Sequence, residues 1–179
     1  AKDAYVADGA IEALELAKKQ GKIRYTGFTG HTKPQIHVDL IESGYQWDAT
    51  LMPVSVVGAL DSRNFEKQVM PLCEKHNIAV LGMKGFGGSR RTELHGKTNV
   101  TEALRYSLSY RQVCTHVVGV DKIDYVNQAV AAAPAKPMSA SERAKYAFVD
   151  NSKPDQKVAL QHGGRLYEKG LGEEESSIA

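Results

Sequence analysis

The sequence predicts an α/β fold built on parallel strands, and three observations predict it. Short runs rich in β-branched and apolar residues occur four times in the 179-residue chain, each followed by a stretch with helical spacing. Strand starts lie roughly 26 to 38 residues apart, the size of βα units whose helix carries the chain back for a parallel return. The runs are also continuously apolar rather than alternating, as strands covered on both faces require. Such a pattern means either a doubly wound sheet or a barrel.

The elements follow in order. Ile11 and Leu14, with the alanines from Ala10 to Ala17, form the apolar stripe of a first helix, and Gly21 suits the left-handed position past its end. "KIRYTGF" reads as a strand from about Ile23 to Phe28. Thr32 is placed to cap the next helix, with Pro34 in its first turn, Ile36, Leu40 and Ile41 facing inward, and Gly44 at its end. "ATLMPVS" is the second strand, followed by a helix from about Asn64 to His76 that turns Phe65, Val69 and Leu72 inward. "IAVLGM" precedes a helix from about Val100 to Tyr110, and "THVVGV" precedes one from Lys122 to Ala133. Tyr25 and Met83 read as packing residues of their strands. Pro134 and Pro137 end the last helix of the series, and Ser139 to Glu142 is a capping-box signature that opens one further short helix. Periodicity is lost beyond Asn151. Residues 1–138 therefore read as the βα-repeat domain, and 139–179 as a short helix with a C-terminal tail.

Composition excludes several classes. With 42% hydrophobic and 25% charged residues the chain has the balance of a globular protein. A net charge of +2, from scattered basic residues, gives no footprint for nucleic acid. No apolar run reaches the ~20 residues of a membrane span, and no signal segment opens the chain. Cys73 and Cys114 have neither CxxC spacing nor metal-ligand register, so a reducing, cytoplasmic setting is expected and no metal site is. Ala1 is not an initiating methionine, which leaves room for an upstream targeting segment.

Parallel α/β folds bind ligands beyond the carboxyl ends of their strands. "KGFGGSRR" at Lys84 to Arg91 is the richest of these places: its glycines let backbone N–H groups approach an anion, and Lys84, Ser89 and Arg90 add charge and hydrogen bonds. It matches neither GxxxxGK[ST] nor GxGxxG, so a plain turn stays open as the other reading. Asp121, with Asp124 three residues on, reads first as the N-cap of the last helix of the series, and Lys122 stands at that helix N-terminus, where an anion is favoured. His31 follows a strand end, as a substrate or cofactor contact or as a surface residue. His116, inside a strand, reads as a core or helix-facing residue. No nucleophile elbow, carboxylate pair or metal cluster emerges, so no catalytic set is assigned to this chain.

The ordered set "GKIRYTGFTGHT", "WDATLMPVSVV", "FEKQVMPLCEKHNIAVLGMKGFGGSR", "EALRYSLSY" and "VVGVDKIDYVNQAVAAA" resembles the aldo-keto reductase family, and most of all its bacterial "GFTGH" branch. The resemblance covers about Asp8 to Ala133. It implies a (β/α)8 TIM barrel that reduces a carbonyl substrate by hydride transfer from NADPH, with NADH as the alternative. It further implies that this chain supplies about strands five to eight with their helices. The family's catalytic Asp, Tyr, Lys and His lie on the first four strand ends. They would come from an N-terminal half of the barrel, which becomes the expected partner.

By the same resemblance, Thr29 matches the serine that bonds the nicotinamide carboxamide, and Gly85, Phe86, Gly87, Gly88 and Ser89 match the pyrophosphate loop, flanked by Lys84 and Arg90. Lys122 falls where the adenosine phosphate is contacted, and Gln128 takes the place of the adenine-contacting glutamate. The chain departs from the family at Gly30 (asparagine), Leu51 (glutamine), Met83 (the stacking aromatic) and Ala129 (asparagine). The departures at Leu51 and Met83 leave the nicotinamide end less defined. The tail lacks the cysteines of the iron-sulfur relatives, so that cofactor is not expected. Two other readings stand beside this one: a non-enzymatic nucleotide-binding or scaffold half-barrel that oligomerises over its open sheet edges, and a phosphate-binding barrel of another class.

Overall fold

The first helix, α1 (Ala10–Lys19), ends where glycine makes ending easy. Gly21 takes φ +69°, its N–H donates to the Lys18 carbonyl, and Lys22 N–H donates to that of Ala17, the paired bonds of a Schellman cap. The computed structural model describes Tyr5 and residues 9–56, 64–85 and 99–147. Within them four strands, β1 (Gly27–Thr29), β2 (Ala49–Pro53), β3 (Ala79–Met83) and β4 (Val113–Val117), form one parallel sheet in sequential order. Between and after them run α2 (Pro34–Glu42), α3 (Phe65–Gln68), α4 (Met70–Lys75), α5 (Val100–Leu108), α6 (Ile123–Ala132) and α7 (Ala140–Ala147).

The expected strand from Ile23 to Phe28 is shorter and later. Asp48 Oδ2 accepts from Thr26 N at 2.7 Å, and Thr26 O accepts from both Asp48 N and Ala49 N, so the chain enters the sheet at Gly27. Lys18 Nζ, 3.3 Å from the same carboxylate, ties α1 to this corner. Tyr25 is therefore not a packed strand residue: it is 68% exposed, with the Arg24 guanidinium over its ring. The last strand is also displaced, from 115–120 to Val113–Val117: its pairing with β3 ends at Met83↔Val117, and the next residue of β3's chain, Lys84, takes φ +57°. The helix expected from Asn64 to His76 forms in two pieces, broken at Val69, since Pro71 has no N–H to continue the ladder. Lys33, not Thr32, is the N-cap of α2, and the inward position expected for Ile36 belongs to His37.

Register sorts the two faces of the sheet. Thr50, Met52, Val80 and Gly82 align as Thr50↔Val80 and Met52↔Gly82 and are buried with α3 and α4 residues Val69 and Cys73. Leu51, Leu81 and Met83 lie on the other face and are half-buried. Between β3 and β4 the register shifts after Val80↔Val113, so that Leu81 pairs Thr115 and Gly82 pairs His116. Cys114 is the extra residue of this bulge, which re-aims the residues after it. At the far end the predicted capping box forms: Ser139 N donates to Glu142 Oε2 at 2.7 Å and Glu142 N to Ser139 Oγ at 3.2 Å. Arg105 of α5 reaches Glu142 at 3.1 Å, which docks α7.

Three titratable groups, two buried and one half-buried, oppose one another. His37 is 1% exposed, edge-on to Phe28 and Phe65 with ring centroids 5.0 and 5.1 Å away. Burial lowers its pKa from 6.5 to about 4. The Leu51 carbonyl works against that shift, but it already accepts from Thr29 Oγ1 and Gly30 N, and neither imidazole nitrogen has a hydrogen bond of its own. His116 is lowered from 6.5 to about 4 for the same reason. Glu66, whose Oε1 accepts from Ser55 N at 2.9 Å, is pushed by burial from 4.5 up to about 7.

The depressed histidines contribute stability that is complete above pH 6.5 and is lost as pH falls towards about 4. The raised carboxyl contributes stability that is complete below pH 4.5 and is lost as pH rises through about 7. Thermal melts from pH 4 to 8 should therefore show His37→Leu flattening the acid limb, a limb worth on the order of 2–3 kcal/mol for that ring. Glu66→Gln, which keeps the acceptor for Ser55 N, should raise stability by about 1–3 kcal/mol at pH 8 and leave pH 4 nearly unchanged.

Candidate functional site

All four strands point their carboxyl ends to one rim, and the first three loops there carry the polar groups. Thr29 is the last residue of β1, and its hydroxyl donates to the Leu51 carbonyl at 3.1 Å. That bond uses the hydroxyl proton and leaves its lone pairs free to accept from an amide. Gly30 N donates to the same carbonyl at 3.3 Å. His31, two residues past the strand, is exposed, and its pKa is lowered by desolvation and then by the positive charge of Lys84. The sequence-predicted Thr29, His31 and Lys84 are thus brought to one side of the rim, although they belong to β1 and to the end of β3.

Lys84 is one of two non-glycine residues with positive φ among the described residues. The left-handed conformation costs a lysine about 1 kcal/mol, so something local must hold it. Gly85 N donates to His116 Nε2 at 3.0 Å. Gly82 and Gly85 make room for that ring: a Cβ would stand 2.4 Å from His116 Nδ1 at Gly82 and 2.7 Å from Nε2 at Gly85. Phe86, Gly87, Gly88, Ser89 and Arg90 lie outside the described residues.

Lys122 and Gln128 occupy the next corner. Lys122, rather than Asp121, is the N-cap residue of α6, with its ammonium 5.8 Å from the Tyr125 ring centroid. Gln128 Nε2 donates to Asp124 Oδ2 at 2.6 Å, and its carbonyl accepts from Thr101 of α5. Lys122 has extended backbone at the start of α6, and Gln128 lies more than a turn further along the helix.

The described tyrosines of the core and the buried cysteine are tuned away from proton transfer. Burial raises the pKa of Tyr106 and Tyr110, whose hydroxyls lie 3.0 Å apart, and Tyr45 is raised by desolvation and by its bond to Glu15. Cys73 is pushed up to about 12 by burial. Among the described residues no three of His, Cys, Asp and Glu group to hold a metal ion, and no helix is long and apolar enough to cross a membrane. The residue that reasoning from the sequence missed is His116. It is a helix-facing strand residue as expected, but it also grips the first described glycine of the Gly-rich run. Its signal in the sequence would have been a glycine on each side of Met83 and Lys84.

A four-stranded parallel sheet with its polar groups on the carboxyl rim is the architecture of a (β/α)-barrel segment. The family model of the aldo/keto reductase family matches residues 3–98, and the chain belongs to that family. Among solved structures it is similar to an aldo-keto reductase from Bacillus halodurans in its holo form, at 24% identity over 81% of this chain and 58% of that one, with a TM-score of 0.62. It is also similar to the glycerol dehydrogenase of Gluconobacter oxydans, at 19% identity over 74% of this chain and 50% of that one, TM-score 0.55. An aldo-keto reductase from a deep-sea metagenome library matches at 13% identity over 82% of this chain and 56% of that one, TM-score 0.57. The chain thus spans a little over half the length of the first of these structures. No curated protein matches it significantly.

The glycine slot can be tested directly. Gly82→Ala forces a methyl into the imidazole and should cost about 2–4 kcal/mol in urea unfolding. Gly44→Ala, where nothing lies within 4 Å of the added Cβ, should cost only the roughly 1 kcal/mol of a left-handed alanine.

Proposed function

We propose that this chain is the dinucleotide-binding part of an NADPH-dependent aldo-keto reductase-type oxidoreductase that reduces a carbonyl by hydride transfer, with NADH as the alternative donor. Family membership supports the reaction class. The observation that carries the cofactor assignment is the convergence of Thr29, His31 and Lys84 at the rim where the Gly-rich run begins. In this reading Lys84, Gly85, Phe86, Gly87, Gly88, Ser89 and Arg90 hold the pyrophosphate, Lys122 the adenosine phosphate and Gln128 the adenine. Thr29 accepts from the nicotinamide carboxamide, and His31 contacts cofactor or substrate. Bound cofactor would supply the hydride; this chain's residues fix where its ring and phosphates lie.

The catalytic tetrad and the barrel's other half come from outside the chain in this proposal. Its two sheet edges, β1 and β4, are flanked by exposed apolar side chains: Leu16 and Tyr25 on one side, Val117, Ile123 and Val130 on the other. Closing a barrel would cover both. A second reading, a scaffold half-barrel that pairs with its own copy, rests on the same edges. Residues 1–138 would form the cofactor-binding half and 139–179 the appended helix and tail, in a cytoplasmic protein.

Titrating the 179-residue chain with NADPH by quenching of intrinsic fluorescence tests the assignment. Arg90→Ala and Lys122→Ala should each weaken binding by about 10-fold or more, as removal of a charge-assisted phosphate contact does. Identical curves for both variants and the wild type would remove these residues from the site. Sedimentation velocity of the chain alone, giving a discrete dimer with no NADPH affinity, would favour the scaffold reading.

A further inference from the structure

His116 lies between the sheet and α5 with both ring nitrogens engaged. Nδ1 is 2.7 Å from Ser107 Oγ, on a serine that is fully buried, and Nε2 is 3.0 Å from Gly85 N. A backbone N–H only donates, so Nε2 carries the lone pair, the proton sits on Nδ1, and Nδ1–H donates to the serine oxygen. Ser107 thereby fixes one tautomer, and that tautomer makes Nε2 an acceptor facing Gly85. The ring stays neutral, because burial keeps it from protonating and a second N–H would point at the glycine amide.

The partner of this bond lies in the turn that leaves β3, where Val54 N–H also donates to the Met83 carbonyl at 3.1 Å. Met83 is the last residue of β3, Lys84 takes the left-handed conformation at φ +57°, and the next N–H is the one His116 holds. If the bond is lost, Lys84 has reason to relax to an ordinary conformation and carry its ammonium away from the rim it shares with His31.

We propose that His116 is a positioning residue for the dinucleotide, holding the Lys84–Gly85 turn through Gly85 N–H so that Lys84 is presented to the cofactor's diphosphate. This rests on the dinucleotide reading above. His116 itself touches no cofactor: its ring is on the α5 side of the sheet, paired with Gly82. The assignment is specific to an acceptor at the Nε2 position. Glutamine, whose side-chain oxygen can reach there, should substitute, whereas leucine fills the space without accepting.

The test uses the full chain with NADPH as the probe, at a temperature well below each variant's melting point. His116→Leu should weaken binding by about 10-fold, and His116→Gln should return it to within about 3-fold of wild type. Ser107→Ala, a smaller change that frees the tautomer, should fall between them and serves if His116→Leu does not fold. In 15N-labelled wild type a scalar coupling across the hydrogen bond should link the Gly85 amide nitrogen to His116 Nε2, and it should be missing in His116→Leu. Melting temperatures that fall while NADPH affinity stays at the wild-type value would overturn the positioning role and leave His116 a packing residue. A wild-type chain that shows the coupling but binds no NADPH would overturn the dinucleotide reading, and this inference with it.

Discussion

Parallel pairing in sequential order is the constraint on which the rest of the molecule depends. Four strands that run the same way place four carboxyl ends together, and the order β1-β2-β3-β4 makes neighbouring loops neighbours in space. His31, two residues past Thr29, can therefore feel the charge of Lys84 across more than fifty residues of sequence. The Leu51 carbonyl of the strand between them receives both the Thr29 hydroxyl and the Gly30 amide. The opposite ends of the strands are occupied by structural contacts instead. There Asp48 joins α1, the approach to β1 and the start of β2. One rim gathers the polar groups of the candidate site, and the other ties its polar groups into the fold.

The order of strands and helices was legible in the sequence because the strands are apolar runs and some helix ends carry their own cap signals. Ser139 with Glu142, and Gly21, are local signals whose consequences stay local, and the structure places them accordingly. The boundaries were less legible, since they depend on partners distant in sequence. Residues 23–26 have the composition of a strand, yet Asp48 takes the Thr26 amide before a ladder can form. Residues 118–120 have it too, yet the pairing with β3 has already ended at Met83↔Val117. Ile36 and His37 illustrate a third limit. Helical phase puts one of two adjacent residues inside, and here the edge-on contacts of the imidazole with Phe28 and Phe65 accompany the choice of histidine.

The candidate site was legible as a set of loops but not as a geometry. Glycine content and charge pointed to the run that starts at Lys84, whereas the grip of His116 on Gly85 depends on the bulge at Cys114, which nothing in the local sequence announces. The electrostatics are also a product of folding. Two histidines held neutral and one carboxyl whose ionisation is delayed to about pH 7 lie close to the sheet, and they pull stability in opposite directions with pH.

The space around the His116 ring is shared between three chain positions, and no one of them can change size alone. A side chain at 82 or 85 would need the volume that the imidazole fills, and a smaller residue at 116 would leave two glycines facing a void. Relatives that carry a larger residue at either glycine position should accordingly carry a smaller one on the adjacent strand. Across the family these positions would then exchange bulk as a set, and the exchange would mark which members hold this turn by a ring and which by some other means.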